Sequence, residues 1–123
     1  MFKHVGISVN DKSDIDDFYI KILGFKILYT FEIDKNTASK IFNVSQNLDV
    51  ITLELEDFIL EVFISRETSK CTFNHICLEL SDFDELMKRI EKHVIFKRIN
   101  REGGRTIFVR DKSANLFEIK EKK

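Results

Sequence analysis

Two histidines and two glutamates recur at matched places along the chain. His4 lies near the start of one alternating run and His75 near the start of another. Glu61 falls in Phe58-Ile59-Leu60-Glu61-Val62-Phe63, and Glu118 in Asn115-Leu116-Phe117-Glu118-Ile119. Neutral imidazoles with carboxylates suit a borderline or hard divalent ion, so Ni, Zn, Co, Mn and Fe(II) are all compatible. Two carboxylates also balance a divalent charge, which offsets the cost of burying both. Each residue alone has a plainer reading, as a hydrogen-bonded or surface histidine, or an exposed strand glutamate near the C-terminus. Glu61 is the least expected of the four, because a carboxylate in an apolar strand is costly unless paired or ligated. Recurrence of the same pair is what favours a metal.

The elements that must position these residues follow from periodicity. In residues 2–10, Val5, Ile7 and Val9 share one face, and His4, Gly6 and Ser8 the other. Asp11 or Ser13 can cap a helix whose stripe is Ile15, Phe18, Tyr19, Ile22 and Leu23, with Gly24 as its stop. Residues 25–33 read as a strand, and residues 34–48 are polar with a short helix near Ala38–Phe42. Residues 49–55 and 58–64 read as a hairpin turning at Glu56-Asp57. Residues 65–72 make a polar linker, after which the order returns. Residues 73–80 alternate, with Ile76, Leu78 and Leu80 on one face. Ser81-Asp82 caps a helix with the stripe Phe83, Leu86, Met87 and Ile90. Strands at 94–100, 105–110 and 115–121 complete it, with turns at Gly103-Gly104 and Lys112–Ala114.

The expected fold class is therefore α+β: two tandem βαβββ modules, residues 1–65 and 73–123, in a single domain spanning 1–123. One helix covers one face of each sheet, so the opposite faces are expected to curve around a cleft. His4, Glu61, His75 and Glu118 all fall on those opposite faces, since their strand neighbours point the other way.

Composition sets bounds on partners. A length of 123 residues, with 43% hydrophobic and 33% charged residues, describes a soluble globular unit. A net charge of −1 predicts no strong pull toward nucleic acid or anionic membrane. Lys97, Arg98, Arg101 and Arg105 form one local basic stretch. No secretory leader or bilayer-spanning run is visible, and Cys71 and Cys77 do not make a disulfide scaffold, so a cytoplasmic location is expected.

Four stretches resemble the vicinal oxygen chelate superfamily, the glyoxalase/bleomycin resistance/dioxygenase group. They are His4-Val5-Gly6-Ile7-Ser8-Val9; Phe18-Tyr19 leading to Leu23-Gly24-Phe25; His75-Ile76-Cys77-Leu78-Glu79-Leu80; and Asp111-Lys112-Ser113-Ala114-Asn115-Leu116-Phe117-Glu118. The last is similar to the family ending D-P-x-G-N-x-x-E, with Lys112 and Ala114 in place of proline and glycine, so its turn must be made differently. The resemblance implies a divalent metal held by His4, Glu61, His75 and Glu118. It also implies a small-molecule substrate and a homodimer, with the site built within one chain or across two.

A glutamate as fourth ligand is more like glyoxalase I than the two-histidine, one-carboxylate pattern of extradiol dioxygenases or fosfomycin-modifying enzymes. The expectation is a metal-dependent lyase or isomerase that moves a proton α to a chelated carbonyl, with Glu118 or Glu61 as base. The alternatives are a non-catalytic, resistance-type binder and an extradiol-type dioxygenase. Arg98, Arg105 and Arg110 are candidate anchors for an anionic substrate, though solvated strand edges explain them as well. Phe31, Phe63 and Phe108 could line a pocket, and core packing is the plainer reading. Cys77 shares the face of His75, where an inert buried thiol is the simpler reading, and His93 suits a helix C-terminus.

Overall fold

The computed structural model describes residues 1–66, 74–93, 96–101 and 104–122. The first module comprises β1 (Val5–Val9), a helix at Ile15–Ile20, β2 (Lys26–Ile33), α1 (Lys35–Phe42), β3 (Leu48–Leu55) and β4 (Phe58–Ile64). The second comprises β5 (His75–Leu80), α2 (Phe83–His93), β6 (Phe96–Arg101), β7 (Gly104–Arg110) and β8 (Leu116–Glu121). The sheets run β1-β4-β3-β2 and β5-β8-β7-β6. In each, the first strand pairs parallel with the last and the other pairs are antiparallel. This is the expected α+β duplication, with α1 as an extra helix that, among the described residues, the first copy alone carries.

Most elements form where the pattern puts them. α1 is longer than its apolar core suggests, because the Asp34 carboxylate accepts from the Thr37 N–H at 2.8 Å and starts the helix at Lys35. β1 begins at Val5, where its ladder with β4 opens, so His4 sits just before the strand. The first helix is of the wide π type. Lys21 N–H donates to Asp16 O at 3.1 Å and Leu23 N–H to Phe18 O at 3.0 Å, each five residues back. Its stripe is still buried: Ile15, Phe18, Tyr19, Ile22 and Leu23. Gly24, at φ 86°, ends it, and Phe25 N–H reaches back to Tyr19 O at 2.9 Å. The linker residues 67–73 (Cys71 among them), residues 94–95 of the expected sixth strand, and Gly103 lie outside the described residues.

The two modules share one apolar core. Ile15, Phe18, Tyr19, Leu53, Leu60 and Val62 from the first meet Phe83, Leu86, Ile90, Ile107, Phe117 and Ile119 from the second. A buried polar seam, centred on the β7–β8 turn, runs beside this core. The Asp111 carboxylate accepts from Tyr19 Oη (2.8 Å), Ser113 N–H (2.9 Å), Asn115 N–H (2.8 Å) and Asn115 Nδ2 (2.8 Å). Asp14 accepts from Lys112 N–H at 3.1 Å and lies 2.8 Å from Ser113 Oγ. Asn10 N–H donates to Ser113 Oγ, and Asn115 Nδ2 to Ser8 O. The departures from the family turn are accommodated here. Lys112 has the backbone N–H that proline lacks, and its ammonium reaches Asp17 at 2.8 Å. Ala114 takes the left-handed conformation, φ 72°, that glycine would adopt without strain.

Candidate metal centre

The alternation holds on both first strands. His4, Gly6 and Ser8 are exposed, as are His75, Cys77 and Glu79, whereas their neighbours turn toward the shared core. Glu61 and Glu118 sit on the same outward faces, flanked along their strands by the buried pairs Leu60/Val62 and Phe117/Ile119.

The register of the duplication is the same in both halves. Gly6 pairs with Glu61, and Cys77 with Glu118. His4 and His75 each stand two residues before those partners. Extending across the sheets, the first row reads Gly6, Glu61, Thr52, Tyr29 and the second Cys77, Glu118, Phe108, Lys97. The carboxylates therefore occupy equivalent positions with different neighbours.

In the first module the pair is already made: His4 Nε2 lies 3.3 Å from Glu61 Oε1. Pairing accounts for a half-buried carboxylate in an apolar strand. Gly6 leaves the room beside it, since a Cβ there would come within 3.2 Å of Phe63 Cε2. Thr52, on the strand next to Glu61, is buried, and among the described residues its Oγ1 has no hydrogen-bond partner. Sequence reasoning passed over Thr52 because a threonine among Val50, Ile51 and Leu53 reads as an ordinary strand former; its place opposite Glu61 was the available signal. In the second module, Glu118 is approached by Cys77. Partial burial of the thiol, with the adjacent carboxylate adding to it, pushes Cys77 up to about 11. Cys77 is an exposed residue, not the buried one its plainer reading expected.

Two imidazoles and two carboxylates on or just beside equivalent strands, with His4 and Glu61 in contact, are a donor set that fits a divalent ion. One chain does not gather them. Among the described residues no three His, Cys, Asp or Glu side chains are grouped closely enough to hold a metal. The first module brings His4 to Glu61, and His75 and Glu118 belong to the other sheet.

The candidate anchors are engaged elsewhere. Arg105 pairs with Asp84 at 2.9 Å and with Glu121, and its guanidinium stacks 4.8 Å from the Phe83 ring. Arg110 donates to Ala114 O at 2.8 Å. The side chains of Lys97, Arg98, Arg101 and His93 lie outside the described residues. Of the three phenylalanines, Phe63 packs on Phe42 at 5.0 Å, Phe31 lies 6.0 Å from Tyr29, and Phe108 pairs with Glu118. All three follow the outward faces and none is in the shared core. Among the described residues no helix is long and apolar enough to cross a membrane.

Comparison with known proteins agrees with this architecture. A model of the Glyoxalase/Bleomycin resistance protein/Dioxygenase superfamily matches residues 3–109. Curated protein sequences give no match. Among solved structures, the genomically encoded fosfomycin resistance protein FosX from Listeria monocytogenes superposes with a TM-score of 0.76 at 19% identity, over 100% of this chain and 93% of that one. A mutant of that protein, complexed with Mn(II) and 1S,2S-dihydroxypropylphosphonic acid, gives 0.75 at 20% identity, over 98% and 90%. A glyoxalase family protein from Enterococcus faecalis gives 0.73 at 18% identity, over 98% and 97%. At such identities the likeness speaks for the fold. With the family match covering most of its length and the duplicated βαβββ architecture, the chain belongs to the glyoxalase/bleomycin resistance/dioxygenase superfamily and has the vicinal oxygen chelate fold.

Proposed function

We propose that this protein is a metal-dependent enzyme of glyoxalase I-like type, a lyase or isomerase that moves a proton α to a chelated carbonyl of a small molecule. His4, Glu61, His75 and Glu118 are the ligands. Two copies of the chain complete each site, the first module of one supplying His4 and Glu61 and the second module of the other supplying His75 and Glu118. The observation that carries this reading is the His4–Glu61 contact at 3.3 Å, on a register that the second module repeats at His75 and Glu118. Assembly from two copies is supported by the outward direction of both ligand faces, and by the exposed apolar side chains Tyr29, Phe31, Ile41 and Phe42 on the first module.

A bound divalent ion supplies Lewis acidity to the substrate oxygens. The chain's part is to hold substrate and shuttle the proton. Glu118 is the preferred base: Phe108, directly opposite it on β7, gives it an apolar neighbour, and Cys77 is its partner on β5. Glu61, already paired with His4, acts mainly as ligand.

The test is metal quantification on purified protein, followed by a screen of α-hydroxycarbonyl, thioester and hemithioacetal substrates, with Glu61→Gln and Glu118→Gln as controls. Expected are stoichiometric metal, its loss in His4→Ala and His75→Ala alike, and turnover abolished in Glu118→Gln. Fosfomycin belongs in the same screen, because a solved FosX structure holds Mn(II) with a phosphonate diol. A fold unchanged with no metal affinity would leave a resistance-type binder, and oxygen consumption with Fe(II) or Mn(II) would leave a dioxygenase; either result overturns the proposal.

A further inference from the structure

We propose that Thr52 is a positioning residue for Glu61: its hydroxyl donates to the Glu61 carboxylate when that carboxylate turns from His4 to a divalent cation. The inference rests on the metal site proposed above. Thr52 is 1% exposed, and among the described residues Oγ1 finds no partner. An orphaned hydroxyl in a sheet is unfavourable, and valine would fill the same space with equal strand preference and no polar atom to satisfy. Thr52 therefore carries a cost in this state that a use in another state would offset.

The register says what that use is. Thr52 pairs directly with Glu61 on β4, so both side chains leave the same face. Directly opposed residues of an antiparallel pair hold their Cβ atoms about 5 Å apart. A rotamer change at Glu61 then brings a carboxylate oxygen to Oγ1. His4 engages Oε1, and among the described residues Oε2 is left for the hydroxyl. The other residues on this face nearest Thr52 are Tyr29, its partner on β2, and Val50 and Glu54, two positions away along β3. In the second module the equivalent position is Phe108, which cannot donate, so the device belongs to one carboxylate alone.

The experiment is calorimetric titration with Mn(II) and with Ni(II) at fixed pH, on wild type, Thr52→Val, Thr52→Ala, Thr52→Ser and each combined with Glu61→Gln. Loss of a hydrogen bond behind a ligand typically weakens metal affinity about 10–100-fold, and that is expected for Thr52→Val and Thr52→Ala, with Thr52→Ser near wild type. On the Glu61→Gln background the same substitutions should change affinity little. Metal-free Thr52→Val should melt no lower than wild type, which separates positioning from a role in folding. If wild type binds metal and Glu61→Gln weakens it, yet Thr52→Val matches wild type within about twofold, this inference fails and the metal site stands. An equal loss on the Glu61→Gln background also overturns it, and points to Glu54 as the acceptor. Wild type that binds no metal overturns both.

Discussion

Removing a single oxygen, in Tyr19→Phe, should weaken the seam between the modules by the worth of one buried hydrogen bond. Tyr19 is fully buried, and its hydroxyl donates to Asp111 at 2.8 Å across the boundary from the first helix to the β7–β8 turn. Burial, and then the Asp111 carboxylate beside it, raise the phenol well above its ordinary value, so it stays a donor through the neutral and alkaline range. A hydrogen bond to a charged acceptor contributes about 1.5–3 kcal/mol, and losing it here leaves Asp111 with three other donated bonds. The ring itself stays packed, edge-on to Phe18 at 5.1 Å, Phe117 at 5.8 Å and Phe25 at 6.1 Å, so no cavity opens. The expected loss is therefore about 2 kcal/mol, toward the lower half of that range. Urea unfolding followed by circular dichroism measures it as a lower midpoint at constant slope. A loss under about 0.5 kcal/mol would refute the reasoning, because a surface-like value means the hydroxyl is not held between the modules.

Three further outcomes follow from the same geometry. Ala114→Gly should stabilise by about 0.5–1 kcal/mol, because glycine adopts the positive φ of the β7–β8 turn without the strain alanine carries; thermal melting reads it, and a destabilised variant would contradict it. Asp14 has its carboxyl raised above the ordinary 3.8, chiefly by burial and against the hydrogen bonds from Ser113 and Lys112. The folded state then holds this proton more tightly than the unfolded chain. The contribution of Asp14 improves as pH falls through the raised value, and the cost is fully present above it. Wild type should accordingly gain on Asp14→Asn as pH falls from 7 to about 4, near the unfolded carboxylate value, in paired unfolding curves, and a flat difference over that whole range would exclude the effect. Gly6→Ala should keep the fold at a cost on the order of 1 kcal/mol, since only the Phe63 ring edge must shift, yet weaken binding of Mn(II) through displacement beside His4 and Glu61.

What the sequence made legible was whatever depends on local periodicity. The period-two runs at Val5–Val9 and His75–Leu80, the helical stripe Phe83, Leu86, Met87, Ile90 and the glycine stop at Gly24 all report directly on which side chains share a face. Placement of the four metal candidates on outward faces followed from that alone. The π character of the first helix was invisible, because Ile15, Phe18, Tyr19, Ile22 and Leu23 satisfy an α spacing equally well and the hydrogen-bond slip leaves no mark on the apolar stripe. α1 was half seen, since its start depends on a polar cap and not on an apolar face. The seam was reduced to a turn motif: Asp111 and Asn115 were noted as letters of a family ending, while their reach to Tyr19 and Ser8, about ninety and a hundred positions away, is a matter of tertiary arrangement. The same limit applied to the four candidate ligands, since whether such side chains meet depends on how sheets face one another and not on spacing along the chain.

The inequality between the rows Gly6-Glu61-Thr52-Tyr29 and Cys77-Glu118-Phe108-Lys97 makes the chain a polar object, with an unlike head and tail. A twofold axis that seats head on tail produces two identical composite clefts per pair, which fill with a single affinity and a stoichiometry of two. An axis that seats head on head would leave one cleft lined twice by threonine and another lined twice by thiol, with separate affinities. For the proposed two-copy assembly, the shape of one metal-binding isotherm therefore distinguishes the two arrangements.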